Sequence, residues 1–253
     1  MLETLRWLGL DWDEGPYVQS DDLEPYRAAM RRLSSEGRAF PCALTRTQIE
    51  HAASAPQEGA HDVRYPPELR PTSWERRFED AETNWRFLVG PEPVGFDDAV
   101  YGPQSVSASA VIGDFVVWTK RGTPAYQLAV VVDDHRQRVS EIVRGADLLD
   151  SAARQLLLYR ALGLGPEPRY THLPLVIGPD GKRLAKRHGD SRLDRYRAAG
   201  VRPERVVGLL ARWCGLDVKE LSAREFMSSF DLANVPKTPI VFTPADDARL
   251  IAS

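Results

Sequence analysis

Residues 126–165, YQLAVVVDDHRQRVSEIVRGADLLDSAARQLLLYRALGLG, decide the fold class. The opening YQLAVVV is a continuous apolar run with polar flanks, which predicts a strand buried on both faces. A polar link leads to strand-like SEIV. The next piece, LLDSAARQLLLYRALGLG, predicts a helix capped by Asp150 or Ser151 and stopped by Gly163. Strands alternating with a helix mean an α/β architecture.

Working outward, WRFLV, VGFDDAVYG and DFVVW are further short, β-prone pieces. DDLEPYRAAMRRLSSEG predicts a helix with Asp22 as N-cap and Gly37 as its stop. Thr45 and Gln48 in TRTQIEHAAS stand at capping-box spacing and open a second helix. APQEGAHDVRYPPELRPTS has no period and reads as a long loop. Downstream, LPLVI is an apolar strand, GPDG a turn, and Pro203 the start of a helix through ERVVGLLARWCG.

The 253-residue chain is long enough for a substantial core, and its 43% hydrophobic and 27% charged content is that of a globular protein. No apolar run of membrane-spanning length and no leader-like segment is visible. Cys42 and Cys214 form no disulfide framework and suit a reducing cytoplasm. The net charge of −3 argues against a nucleic-acid binder, yet the charge is unevenly spread. Residues 1–24 carry seven acids against Arg6, whereas residues 182–205 carry nine Lys or Arg against three acids. A polyanion would meet that second region; a solvated helical face is the plainer alternative.

Familiar phosphate-binding glycine motifs are absent, since GPDGKR lacks the necessary spacing. Five scattered histidines offer no metal pair at helical spacing, and Cys42 with His51 or His61 lacks a second cysteine. Tyr126 and Arg144 attract more interest. Placed at strand ends of a parallel sheet, they would sit where open α/β sheets bind ligands, the arginine gripping a carboxylate and the tyrosine hydrogen-bonding beside it. An arginine paired structurally with Asp133 or Asp134 is equally consistent with the residues alone. RLAKRHGD, residues 183–190, sets four basic groups in six residues after the GPDG turn, and a lysine there could bridge developing phosphate charge.

Four stretches in order, RWLGLDWDEGPYVQS, AYQLAVVVDD, EIVRGADLLDSAARQ and HLPLVIGPDGKRLAKRHGD, resemble the glutamyl-type class I aminoacyl-tRNA synthetases over nearly the whole chain. The resemblance implies a Rossmann-type nucleotide-binding fold with an α+β connecting insertion and a C-terminal helical region. It implies ATP-dependent activation of L-glutamate with Mg²⁺. The nearest branch transfers the glutamate to queuosine in the anticodon of tRNA(Asp). In that reading Arg183, Leu184, Ala185, Lys186 and Arg187 form the KMSKS loop that holds ATP. Lys186 is the catalytic lysine, and Tyr126 and Arg144 bind glutamate. A cytoplasmic monomer is expected.

The expected divisions are 1–36, the remainder of the first half of the nucleotide-binding fold; 37–110, the insertion; 111–178, the second half; and 179–253, the loop and helical region. The family's HIGH signature would lie upstream of RWLGLDWDEGP, so the resemblance implies an N-terminally incomplete fold. Of the family's zinc ligands, Cys42 and Tyr65 remain, while Leu44 and Leu69 stand where two cysteines would be; zinc is not expected. A fragment charging tRNA(Glu), for which Val130 replaces an asparagine, and an inactive synthetase-derived binding protein are the alternatives.

Overall fold

The computed structural model describes residues 1–52, 64–80, 83–182, 184 and 193–251. They form two compact units, one of Tyr17–Val143 and Leu148–Thr171, the other of Met1–Pro16, Arg144–Asp147 and His172–Ser253. Among the described residues no helix is long and apolar enough to cross a membrane.

In the larger unit, helix α2 (Glu24–Ser35) follows the short α1 (Leu2–Trp7) of the other unit. Leu23 holds the cap position of α2, one residue after the expected Asp22, whose Oδ1 still accepts from the Glu24 amide at 3.0 Å. The helix ends where Gly37 takes φ +69°, a conformation that favours glycine. Strands β1 (Ala39–Cys42), β2 (Asn84–Phe87), β5 (Phe115–Thr119) and β6 (Thr123–Pro124) form an antiparallel sheet in that order. Trp85 and Phe87 alternate inward on β2, as a half-buried strand requires, and Phe87 stacks on Phe115 at 5.4 Å. Between β1 and β2 lies α3 (Arg46–Ala52), opened by the Thr45–Gln48 box. The Thr45 amide donates to Gln48 Oε1 at 2.8 Å, and the Gln48 amide donates to Thr45 Oγ1 at 3.3 Å.

The hairpin of β3 (Val94–Asp98) and β4 (Gly102–Val106) turns on buried Asp98, whose Oδ1 accepts from the Val100 and Tyr101 amides. After α4 (Ala108–Val111) and the strands β5 and β6 comes the largest correction to the sequence reading. YQLAVVV is the start of a helix, α5 (Tyr126–Arg136), not a strand. The buried positions are Leu128, Ala129, Val131 and Val132, one face of a helix, and that face packs in the core with α2 and α6 (Leu149–Ala161). A short apolar run does not distinguish a buried strand from a buried helix, and tertiary burial here overrides the β preference of valine. The α/β class survives, because α5, β7 (Glu141–Gly145), α6 and β8 (Arg169–Leu173) alternate. The second sheet has the order β4-β3-β8-β7, with β3 and β8 parallel at Asp98 and Tyr170.

A second correction concerns α6. Leu148, not Asp150 or Ser151, holds the cap position, because the chain enters α6 directly from a 3₁₀ turn at Ala146–Leu148. Gly163 does terminate it, at φ +54°. The core of this unit includes Tyr26, Met30, Trp118, Leu128, Leu156 and Tyr159. Each such large side chain contributes about 1.5–3 kcal/mol through burial.

The smaller unit pairs β9 (Val176–Ile177) with β10 (Ile240–Val241) in parallel. Its helices are α1, α7 (Leu193–Ala198), α8 (Pro203–Trp213), α9 (Ala223–Ser229) and α10 (Pro244–Ile251). Pro203 starts α8 as its sequence implies, and Val206, Leu209, Tyr196 and Leu250 form the core. Gly208 is required for close approach: a Cβ there would lie 2.4 Å from the Lys219 carbonyl oxygen. Helix α9 carries a full capping box between Ser222 and Glu225.

Candidate active site

Tyr126 is the first residue of α5 and 54% exposed. It is therefore a helix-start group rather than the strand-end group expected. The side chain lines a cavity of 430 Å³ whose wall also includes Arg46, Arg86, Arg154, Asp114 and Gln127. All of these belong to the larger unit, on α3, β2, α6, the approach to β5, and α5.

Buried Asp114 organises that wall. Its carboxylate accepts from Arg70 Nε at 2.6 Å, Arg70 NH2 at 2.8 Å and the Val89 amide at 2.8 Å. Its backbone oxygen accepts from Arg86 NH1 at 2.7 Å. The Arg86 guanidinium also lies 4.5 Å over the Tyr65 ring, so its plane is held from two sides. Gln127 is occupied inward, donating to Ser151 Oγ at 3.2 Å and accepting from Gln155 Nε2 at 3.0 Å.

Arg144 lies in β7 as expected, within the smaller unit. Its Nε donates to Nε2 of fully buried His172 at 3.0 Å. That geometry requires His172 to present a lone pair at Nε2 and hence to carry its proton on Nδ1. Asp133, the structural partner considered for Arg144, instead accepts from Tyr26 OH at 2.7 Å and Gln19 Nε2 at 2.6 Å. Gly145 leaves room for Asp147: a Cβ would come within 2.7 Å of its Oδ1. Tyr126 and Arg144 thus fall in different units.

The GPDG turn is formed by the Gly178 amide donating to the Lys182 carbonyl at 2.8 Å, with Lys182 N donating to Asp180 Oδ1 at 2.9 Å. Of the basic stretch beyond it, Leu184 is described; Arg183, Ala185, Lys186 and Arg187 lie outside the described residues.

At the other side of Arg86, Cys42 and Tyr65 meet. Cys42 Sγ donates to the Tyr65 hydroxyl at 3.8 Å, and that hydroxyl donates to the Leu69 carbonyl at 2.7 Å. Burial first, and Cys42 second, push the Tyr65 phenol above its ordinary pKa. Phe40, Ile49, Leu44, Leu69 and Trp74 close around the pair. One thiol and one phenol among aliphatic side chains do not supply a tetrahedral zinc donor set.

Sequence reasoning missed Arg86, Arg154 and Asp114. The available signal for Arg86 was an arginine alternating with buried Trp85 and Phe87 on one short strand. Arg154 gave a comparable signal, lying between buried Ala153 and Gln155 on α6.

Residues 1–245 match the family described as tRNA synthetases class I (E and Q), catalytic domain. The chain belongs to this family. It is an aminoacyl-tRNA synthetase-like ligase with a class I catalytic fold. It is 47% identical to the glutamyl-Q tRNA(Asp) synthetase of Symbiobacterium thermophilum, covering 94% of this chain and 78% of that protein. To the glutamate–tRNA ligase 2 of Syntrophus aciditrophicus it is 36% identical, over 99% of this chain and 54% of the relative. Among solved structures, a glutamate tRNA ligase from Elizabethkingia meningosepticum in complex with its amino acid superposes with a TM-score of 0.76 at 26% identity. That superposition covers 96% of this chain and 56% of the ligase, so the chain spans little more than half of that protein.

Proposed function

We propose that this family member activates L-glutamate with ATP and Mg²⁺ and transfers it to queuosine of tRNA(Asp). The supporting observation is the 47% identity to a glutamyl-Q tRNA(Asp) synthetase, against 36% to a glutamate–tRNA ligase at similar coverage of this chain. In this reading Tyr126 and Arg144 position the amino acid. The segment Arg183–Arg187 holds ATP, with Lys186 stabilising charge on the departing pyrophosphate, an electrostatic role that needs no nucleophile. Residues 37–110 serve as the connecting insertion. No zinc takes part.

The test is transfer of labelled glutamate to purified tRNAs. Label on queuosine-bearing tRNA(Asp), but not on tRNA(Asp) lacking queuosine or on tRNA(Glu), is the expected result. Label on tRNA(Glu) alone overturns the tRNA assignment. Lys186→Ala should lower glutamate-dependent ATP–pyrophosphate exchange about 100- to 1,000-fold, the effect of losing one preorganised charge contact. Exchange within a few-fold of the parent removes Lys186 from the mechanism. Arg144→Ala should chiefly raise the KM for glutamate, because a carboxylate partner acts in both ground and transition states. An unchanged KM assigns Arg144 to holding His172 alone.

A further inference from the structure

Strand β8 buries two side chains on one face, Tyr170 and His172, and leaves Arg169 exposed between its turns of the pleat. Tyr170 joins the apolar core of the larger unit. His172, two residues on, is as fully enclosed but polar. An aliphatic residue there would continue the strand pattern with no polar atom to satisfy. A buried imidazole has to be hydrogen-bonded instead, and Arg144 supplies one of its bonds.

The chemistry of that bond is suited to orienting the arginine. Nε2 of His172 accepts from Nε of Arg144 at 3.0 Å. Nε lies in the guanidinium plane next to the aliphatic stem, so a fixed acceptor there sets the plane of the whole fork. With Nε engaged, a carboxylate held by two parallel N–H···O bonds has to meet NH1 and NH2, the end edge of the guanidinium. The acceptor is a lone pair on a neutral ring. It fixes the arginine without adding the negative charge that a carboxylate in its place would set against an anionic ligand. The backbone beside Arg144 is closely packed as well: a Cβ at Gly145 would lie 2.7 Å from Asp147 Oδ1 and 3.3 Å from Leu175 Cδ2.

We infer that His172 is a positioning residue for the amino-acid site, holding the Arg144 guanidinium with its end edge toward a glutamate carboxylate while itself sealed from solvent. This role rests on the reading in which Arg144 binds glutamate. An arginine side chain restrained in advance loses less freedom when the ligand arrives, and that difference appears as affinity.

Glutamate-dependent ATP–pyrophosphate exchange, with each substrate varied in turn, tests the role. His172→Phe keeps a buried ring and removes the acceptor. It should raise the KM for glutamate about tenfold or more and leave the KM for ATP within about twofold. His172→Gln, whose amide oxygen reaches the place of Nε2, should return the glutamate KM to within about threefold of the parent. In an Arg144→Ala background, His172→Phe should add less than about twofold, because the two residues act through one contact. A histidine with a structural role alone would lower the melting temperature on substitution and leave both KM values unmoved. Should circular dichroism show that His172→Phe does not fold, His172→Asn replaces it, being too short to reach Arg144 and therefore expected to raise the glutamate KM where His172→Gln does not. An unchanged glutamate KM in the folded Phe or Asn variant, while Arg144→Ala still raises it, overturns the positioning role alone. A rise that His172→Gln shows equally does the same. No exchange by the parent chain, or an Arg144→Ala variant with unchanged glutamate KM, overturns the glutamate reading and the role of His172 with it.

Discussion

Two neighbouring patches of the larger unit share side chains yet have opposite characters. Leu44 and Ile49 belong both to the cluster around Cys42 and Tyr65 and to the wall of the arginine-lined cavity. Arg86 joins the two, its guanidinium stacked on Tyr65 and its backbone on β2. On the Tyr65 side, aliphatic and aromatic groups close the space; on the Tyr126 side, guanidiniums leave it open. Strand β1 supplies Phe40 and Cys42 to the closed side, whereas β2 and β5 supply Arg86 and Phe115 to the cavity. The distinction lies in the side chains themselves: leucines and rings fill the first by mutual contact, whereas charged guanidiniums that bond to other partners line the second. The closed patch contributes packing, and the other presents charged side chains to a cavity.

The sharpest way to break that comparison is to open the closed side. Phe40 is fully buried and packs against Tyr65 and Trp74 with centroids 5.9 and 5.7 Å apart. Phe40→Ala should cost about 3–5 kcal/mol in urea unfolding, since the rings around it cannot collapse into the void. A loss below about 1 kcal/mol would mean the cluster contributes little packing. Next comes the pin between the two sides. Asp114→Asn removes the charge opposite Arg70 and should destabilise by about 2–3 kcal/mol, less than a fully buried pair because Arg70 is 30% exposed. Unchanged stability would show that the Val89 and Arg86 contacts alone hold the wall. Smaller still is Tyr65→Phe, which deletes the bond to Leu69 but keeps the ring under Arg86; about 1 kcal/mol is expected in the same unfolding measurement.

What was legible in the sequence was local. Helix α2, the Thr45–Gln48 box, the stop at Gly163 and the start at Pro203 each depend on residues within a few positions of one another. YQLAVVV was misread because its composition is strand-like and its helical face appears only once α2 and α6 cover Leu128, Ala129, Val131 and Val132. The spacing of those four residues was present in the sequence, but the intervening Val130 masked it. Arg144 was legible as a strand residue; its partner His172 lies 28 residues on and carries no local signal. The cavity was the least accessible, because its three arginines come from α3, β2 and α6 and meet only in the folded unit.

The smallest expected effect concerns metal, and it is zero. A structural zinc supplies folding energy outright, so a chelator unfolds the part of a protein that depends on it. Around Cys42 the chemistry runs the other way. Its sulfur donates to Tyr65, whose phenol is pushed upward by burial and donates in turn to a backbone carbonyl. Both groups are therefore engaged as protonated donors, and a metal would have to displace those protons and find two further ligands among leucines. Packing of Leu44, Leu69, Phe40 and Trp74 does instead what a bound ion would do, holding β1 against the segment that carries Tyr65. Thermal melting with and without EDTA should superimpose, and metal analysis of protein purified without added metal should find well below one zinc per chain. A chelator-induced drop in Tm, or stoichiometric zinc, would place a metal site on the closed side and erase the contrast with the cavity beside it.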